Sequence, residues 1–336
     1  MIRVLSVLFV LLLACTCLAA DRVVLVEDFT NCGCGYCWNF EPTLNSFVDT
    51  YLASGDISVI RVHVGWPSAT DPIYTANPTE QNARKSFYGV SGVPTVKVDG
   101  VLSGYPNPTS AFNNRINVPS YLEILVARDG DDETGTIEIG LIAEQDLGAH
   151  ATMRLFTTIV EDDVPGVGYW GGSVFLQAFR DNLFGIVGPV VEFSAPYPDT
   201  LYFSVDYDIS AWVADNLYLA TFVQEYSSTY KEVMNARYDK FMDLQTGIPG
   251  TPMLPSQPVL DLMQNPCSGT AVITPMMPEG QTGLLTVYDI AGRSLGQWTL
   301  ESGLPQTVSL DEPGVYFARL VTSEGLSATQ SVVVVR

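Results

Sequence analysis

Three cysteines fall within six residues of this chain, in the run Asn31-Cys32-Gly33-Cys34-Gly35-Tyr36-Cys37-Trp38. A thiol attacks a disulfide only as the thiolate, so the chemistry open to such a group depends on what favours the anion. Cys34 and Cys37 at the start of a helix meet that need. The first faces unpaired backbone N–H groups and the positive end of the helix dipole. The second, one turn on, reaches the first and resolves a mixed disulfide. Two other chemistries stay open for the pair, a stable disulfide without turnover and a zinc site. Zinc takes four ligands, and Cys32, Cys34, Cys37 and His63 supply them only if the strand carrying His63 lies adjacent. With no second cysteine pair to complete the usual zinc pattern, neither a metal nor a diffusible cofactor is expected.

The elements that must hold the pair are readable on either side of it. Val23–Val26 is an apolar run of the kind buried on both faces of a sheet. It ends at Glu27 and Asp28 and passes through a short loop into the cysteines. Beyond them Phe40, Leu44, Phe47 and Tyr51 mark one face of a helix. Ser54-Gly55 stops that helix, and Ile57–Val64 reads as a second strand, which makes a βαβ unit with parallel strands. Pro67–Pro78 reads as an irregular insert. Thr79 then caps a short helix that Gly89 ends. Val93–Val98 is a further strand, and Asp99-Gly100 is a preferred two-residue hairpin turn leading into Val101-Leu102. Thr109–Ile116 reads as a closing helix.

From Tyr121 the texture changes to period-two alternation, as in Ile137, Ile139 and Leu141 and again in Leu201, Phe203, Val205 and Tyr207. With the buried-looking Leu217–Val223, these predict an antiparallel sandwich. Within Pro165–Pro189, rich in glycine and aromatics, the spacing of Phe175, Phe179 and Leu183 predicts a helix covering the sheet, the alternative being aromatics that line a partner groove. Prolines recur from Pro249 to Pro258, favouring an extended spacer. Short strands follow at Ala271–Thr274, Leu284–Asp289, Leu295–Leu300, Thr307–Leu310, Val315–Val321 and Ser331–Val335, a second and smaller sandwich. The expected fold class is therefore an α/β domain followed by two all-β sandwich domains. Its divisions are a leader at 1–20, domains at 21–118 and 119–243, a linker at 244–258 and a last domain at 259–336.

Composition narrows the function classes. A chain of 336 residues suggests two or three domains. Its 16 basic against 37 acidic residues give a net charge of −21. There is no clustered basic face of the kind a nucleic-acid backbone requires, so no nucleic-acid partner is expected. Met1-Ile2-Arg3, the apolar Val4–Ala14 and the small Ala19 and Ala20 read as a secretory signal peptide. Leu12-Leu13-Ala14-Cys15 also resembles a lipidation site at Cys15. Once the leader is removed, Cys32, Cys34, Cys37 and Cys267 remain, too few for a disulfide scaffold of this length. Cys267 and His63 read as buried structural residues, and Asp129–Glu133 as a solvated hairpin loop lacking a calcium-loop pattern.

Asp28 six residues before Cys34, Pro42 inside the first helix and Val93-Pro94-Thr95 before a strand together resemble the thioredoxin fold. In that superfamily the acid at this place is buried and assists proton transfer for the second cysteine. The proline before the third strand is cis and packs against the cysteine pair, and the residue before it pairs its backbone with substrate. The resemblance implies those roles for Asp28, Pro94 and Val93. Tyr36 stands where better-known relatives carry the proline or histidine that helps set redox poise, and it joins Val93 and Pro94 on the substrate side. The wording VEDFT, CGYC and YGVSGVPTVKVDG is similar to the thioredoxin-like outer-membrane-protein-28-related family of bacterial envelope proteins. RDNLFG and ATFVQE extend that resemblance through the following sandwich, over Asp21 to Phe241. Gly33 departs from thioredoxin, which has tryptophan before the first cysteine, and Cys32 adds a third thiol able to pair with Cys34 or Cys37 or to stay free. The direction of electron transfer stays open.

The last domain resembles the C-terminal sorting domain of type IX secretion cargo, on Asn265-Pro266, Leu285–Arg293, Pro313–Leu320 and the valine-rich final strand. A plain immunoglobulin-like module is the alternative. Together the resemblances imply an exported thiol–disulfide oxidoreductase of the bacterial envelope or surface, with a periplasmic stage. Its partners would be protein thiols or disulfides and the type IX secretion machinery, with possible attachment at the outer-membrane surface. The competing expectation is a non-catalytic cell-surface binding or structural protein on a thioredoxin-like scaffold.

Overall fold

Strands dominate the computed structural model, which describes residues 20–245, 258–262, 265–277, 281–301, 304–310 and 312–335. The expected leader up to Ala19, with Cys15, and most of the proline-rich linker lie outside the described residues. The chain divides into two compact units, Met1–Thr251 and Pro252–Arg336. Among the described residues no helix is long and apolar enough to cross a membrane.

The first unit begins with β1 (Val24–Thr30), α1 (Gly35–Leu52) and β2 (Ile57–His63), the two strands pairing in parallel with Asp28 beside Arg61. Every residue of both strands is buried, the condition that produces unbroken apolar runs at the centre of a sheet. The α1 face carrying Phe40, Leu44, Phe47 and Val48 packs on Val24, Val26, Ile57 and Val59. Burial of each large apolar side chain there contributes about 1.5–3 kcal/mol.

The segment before Pro78 is not wholly irregular. It contains α2 (Pro72–Ala76), capped by Asp71, and Asn77 rather than Thr79 caps α3 (Pro78–Tyr88). Proline stands at the start of both helices, where its missing N–H has no intrahelical partner to lose. Gly89 ends α3 in the left-handed region. β3 (Thr95–Val98) pairs antiparallel with β1, and Asp99 and Gly100, both at positive φ, turn the chain into β4 (Leu102–Ser103). α4 (Pro108–Asn113) follows.

The rest of the unit contributes β5 (Leu122–Gly130), β6 (Thr134–Ala143), β7 (Met153–Glu161), β8 (Val164–Pro165), β9 (Val174–Phe175) and β10 (Ala178–Asn182). It continues with β11 (Val190–Val191), β12 (Asp199–Asp208), β13 (Leu217–Glu225) and β14 (Val233–Lys240). A nine-stranded sheet runs β14-β13-β7-β10-β2-β1-β3-β4, with β11 also on β7. A three-stranded sheet, β12-β6-β5, joins it through a core that includes Ile137, Ile139, Leu141, Leu155, Ile159 and Leu219.

Residues 21–118 and 119–243 therefore share one sheet. Its seam is β10, parallel to β2 at Ala178 and Arg61 and antiparallel to β7. This strand corrects the helix expected from Phe175, Phe179 and Leu183. Gln177 at positive φ breaks the segment between β9 and β10, and the register shifts between Phe179 and Asp181. The three apolar residues go to three different clusters, so their four-residue spacing marks no common face.

The second unit has β15 (Val259–Leu262), β16 (Thr270–Met276), β17 (Thr282–Tyr288), β18 (Ser294–Glu301), β19 (Gln306–Ser309), β20 (Gly314–Thr322) and β21 (Ser327–Val334). They form sheets β15-β16-β19 and β18-β17-β20-β21 around Ala271, Ile273, Leu285, Val287, Ala318 and Leu320. Cys267 is buried in that core.

Candidate functional site

The loop between β1 and α1 is held by Asn31. Its Nδ2 donates to the carbonyls of Val64 at 2.6 Å and Ser68 at 2.9 Å, while its Oδ1 accepts from the N–H of Gly33 and of Ser68. The Cys34 N–H donates to the Asn31 carbonyl at 2.9 Å. So fixed, Cys34 occupies the N-cap of α1, and its Sγ accepts from the Cys37 N–H at 3.1 Å. A sulfur stands where serine, threonine, asparagine or aspartate oxygens usually satisfy a free helix donor.

Cys34 and Cys37 are joined in a disulfide, S–S 2.14 Å. Both are buried, at 5% and 2% exposure, whereas Tyr36 between them is 77% exposed. Cys34 Sγ lies 3.7 Å from the Val93 carbonyl, and the Val93–Pro94 peptide is cis. The fold thus gathers Cys34, Cys37 and Val93 at the start of α1, with Pro94 next in chain and Tyr36 facing solvent.

Asp28 sits in the buried interior of β1, between Arg61 on β2 and Val96 on β3. Burial raises its pKa from the ordinary carboxylate range to about 7, with Arg61 opposing and Glu41 adding to the rise. Its Oδ1 is buried without a hydrogen-bond partner. Arg61 does not satisfy it: its two Nη groups go to Glu41 and to Asn45 Oδ1 on α1, and its Nε is, like Asp28 Oδ1, buried without a hydrogen-bond partner.

A second buried acid lies beside Cys32. Asp71 Oδ2 accepts from the Cys32 N–H at 2.6 Å and contacts His63 Nδ1 at 2.8 Å, while Oδ1 accepts from Ile73 and Tyr74. Burial opposes ionisation of Asp71, but the His63 contacts and backbone donors outweigh it and hold its pKa below the usual range. Burial, followed by the Asp71 charge, pushes the Cys32 thiol up. Cys32 is consequently a buried, protonated thiol at neutral pH rather than a thiolate. Among the described residues no group of three or more His, Cys, Asp or Glu side chains is arranged to hold a metal ion.

Sequence reasoning missed Arg61, Glu41 and Asp71, and it missed the turn between β8 and β9. That turn, Gly168–Trp170, lies against the cysteine loop, with the Tyr169 N–H donating to the Cys32 carbonyl at 3.0 Å. Trp170 and Phe175 are buried in one cluster with Cys32, Cys34 and Cys37. The available signal was compositional: glycines flank aromatics throughout this stretch, which suits close backbone approach as well as a loose loop.

Among solved structures, HBP35 of Porphyromonas gingivalis matches 94% of this chain and 99% of its own at 15% identity, with a TM-score of 0.57. The likeness is one of fold. A protein of Agrobacterium tumefaciens matches 68% of this chain and 100% of its own at 16% identity, but at a TM-score of 0.45 no inference rests on it. No protein-family model matches the chain, and neither does any curated protein.

Proposed function

We propose that the protein is an exported thiol–disulfide oxidoreductase whose residues 21–118 form a thioredoxin-like core. The observation that carries this reading is the Cys34–Cys37 disulfide at the N-terminus of α1, with Cys34 Sγ as helix cap and the Val93 carbonyl beside it. A substrate thiolate attacks Cys34 Sγ, forms a mixed disulfide and expels Cys37 as thiolate. A second substrate thiol then attacks the substrate sulfur and releases Cys34, so a dithiol is oxidised and the protein's disulfide reduced. The reverse sequence reduces a substrate disulfide. The Cys34 anion is favoured by the helix N-terminus in both directions. Asp28, with a pKa of about 7, exchanges a proton with Cys37 near neutral pH, the range where a buried acid serves as acceptor or donor. Val93, Pro94 and Tyr36 contact the substrate.

The second unit is the type IX sorting domain in this reading, giving the protein a periplasmic stage and then the outer surface or the medium. Support comes from the ordered segments Asn265-Pro266, Leu285–Arg293 and Pro313–Leu320 and from the fold shared with the Porphyromonas gingivalis protein. Deleting residues 259–336 is expected to leave the protein in the periplasm, and surface delivery of the truncated chain would overturn the assignment.

Burial of Cys34 at 5% exposure favours a second reading, in which the disulfide is structural and the protein binds partners at the cell surface. Trapping separates the two. Cys37→Ala in the intact protein should accumulate mixed disulfides at Cys34 in the envelope. An absence of adducts, with a Cys34 that alkylates no faster than an ordinary thiol near pH 7, would overturn the oxidoreductase reading.

A further inference from the structure

Among the described residues the strands β8 and β9 pair only with each other, outside the large sheets. The turn they carry is nevertheless seated firmly on the cysteine loop. Gly168 has φ +63, and a Cβ there would stand 2.3 Å from the Cys32 carbonyl oxygen, so the approach needs glycine. Trp170, 2% exposed, meets Trp38 of α1 edge-on at 5.2 Å and packs on Phe175. These contacts anchor the turn.

Tyr169 is different. It is 54% exposed, yet its ring lies on Gly35 inside the motif, with Cζ and Oη 3.1 and 3.2 Å from where a Cβ of Gly35 would stand. With Tyr36 at 77% and Trp38 at 36% exposure, it surrounds the N-terminus of α1 with aromatic surface. Such side chains, held by an anchored backbone, offer large contact area at small entropic cost and are the residues enriched at protein contact sites.

We propose that the Val164–Phe175 hairpin is a selectivity wall for the cysteine site and that Tyr169 is its selecting residue. This rests on the oxidoreductase reading and names its substrate class: cysteine thiols of polypeptides that carry aromatic or large apolar side chains beside the cysteine. The ring, lying on Gly35 next to Cys34, supplies a contact surface for that flanking side chain. In the step concerned, the peptide thiolate forms a bond to Cys34 Sγ. The Cys34–Cys37 bond breaks, and its electron pair leaves on Cys37 Sγ, which takes up a proton.

The test measures attack on the oxidised full-length protein by two peptides, Gly-Phe-Cys-Phe-Gly and Gly-Ser-Cys-Ser-Gly, quenched by alkylation and read by mass. The parent protein is expected to prefer the Phe peptide. Loss of one aromatic contact should lower that preference about threefold to tenfold in Tyr169→Ala and leave it intact in Tyr169→Phe. Should alanine loosen the hairpin, as a lowered Tm would reveal, Tyr169→Leu repeats the measurement with the space filled. A parent protein without preference for the Phe peptide would overturn the proposal, as would a ratio unchanged in Tyr169→Ala, or in Tyr169→Leu where alanine lowers the Tm. The peptides attack whether or not the protein turns over in the envelope. A flat ratio therefore removes the wall alone, and absent adducts in the trapping experiment remove the oxidoreductase reading.

Discussion

At the scale of residues, the two buried acids Asp28 and Asp71 have opposite electrostatics. Asp28 lacks a partner for Oδ1, and desolvation takes its pKa to about 7, above its unfolded value. The native state therefore holds a proton that the unfolded chain releases. The stability this gives is complete below about pH 4 and is lost as pH rises through 7, a change of roughly 4 kcal/mol. Asp28→Asn should remove that slope. Relative to the variant, the parent is expected to lose stability between pH 4 and pH 8 in urea titrations, and parallel pH profiles would contradict the buried, unpartnered carboxyl. Asp71 is the reverse case, ionised and surrounded by donors. Asp71→Ala strips the Cys32, Ile73 and Tyr74 N–H groups and His63 of their acceptor, and a loss of about 3 kcal/mol is expected in the same titrations. Neither acid's environment is visible in local sequence. Asp28 ends an apolar run and Asp71 sits among turn-formers, and only the folded pairing of β1 with β2 and the seating of α2 make one isolated and the other saturated.

At the scale of elements, legibility follows how locally an element is determined, not how near it lies to the cysteines. The spacing of Phe40, Leu44, Phe47 and Tyr51 identifies α1 because one face of that helix meets one core. Asp99-Gly100 marks its turn because both residues must take positive φ. Legibility fails at β8, β9 and β10, strands of two, two and five residues, too short for a period to show. Their place is set by partners distant in sequence: Cys32 for the turn, Arg61 for β10. The seating of the hairpin predicts a sharp response at one glycine. Gly168→Ala brings a Cβ against the Cys32 carbonyl at positive φ and is expected to cost at least about 2 kcal/mol. It should also lift the turn and speed alkylation of Cys32, read by timed iodoacetamide labelling. Unchanged labelling would mean that the turn does not shield that thiol.

At the scale of the molecule, each compact unit has its own core, so a protein ending at residue 251 should keep the disulfide and the melting transition of its unit. Within the first unit, by contrast, the cysteine-bearing part has no closed sheet. Cutting after residue 118 removes β10 from the side of β2 and strips Arg22 of its carbonyl acceptors Val233 and Met234. A fragment of residues 20–118 exposes β2, with Ile60 and Val62, as an unprotected edge. It is expected to aggregate or to show collapsed amide dispersion by NMR, and a well-dispersed monomer would refute the dependence. The seam at β10 also bears on ancestry. A unit whose central strand is supplied by its downstream neighbour is poorly suited to copying between genes as a cassette, and a crossover near residue 118 is expected to separate two halves that do not fold alone. Lineages carrying this chain should therefore inherit the thiol site and the sandwich as a single indivisible block, while the unit beyond residue 251 remains free to be exchanged.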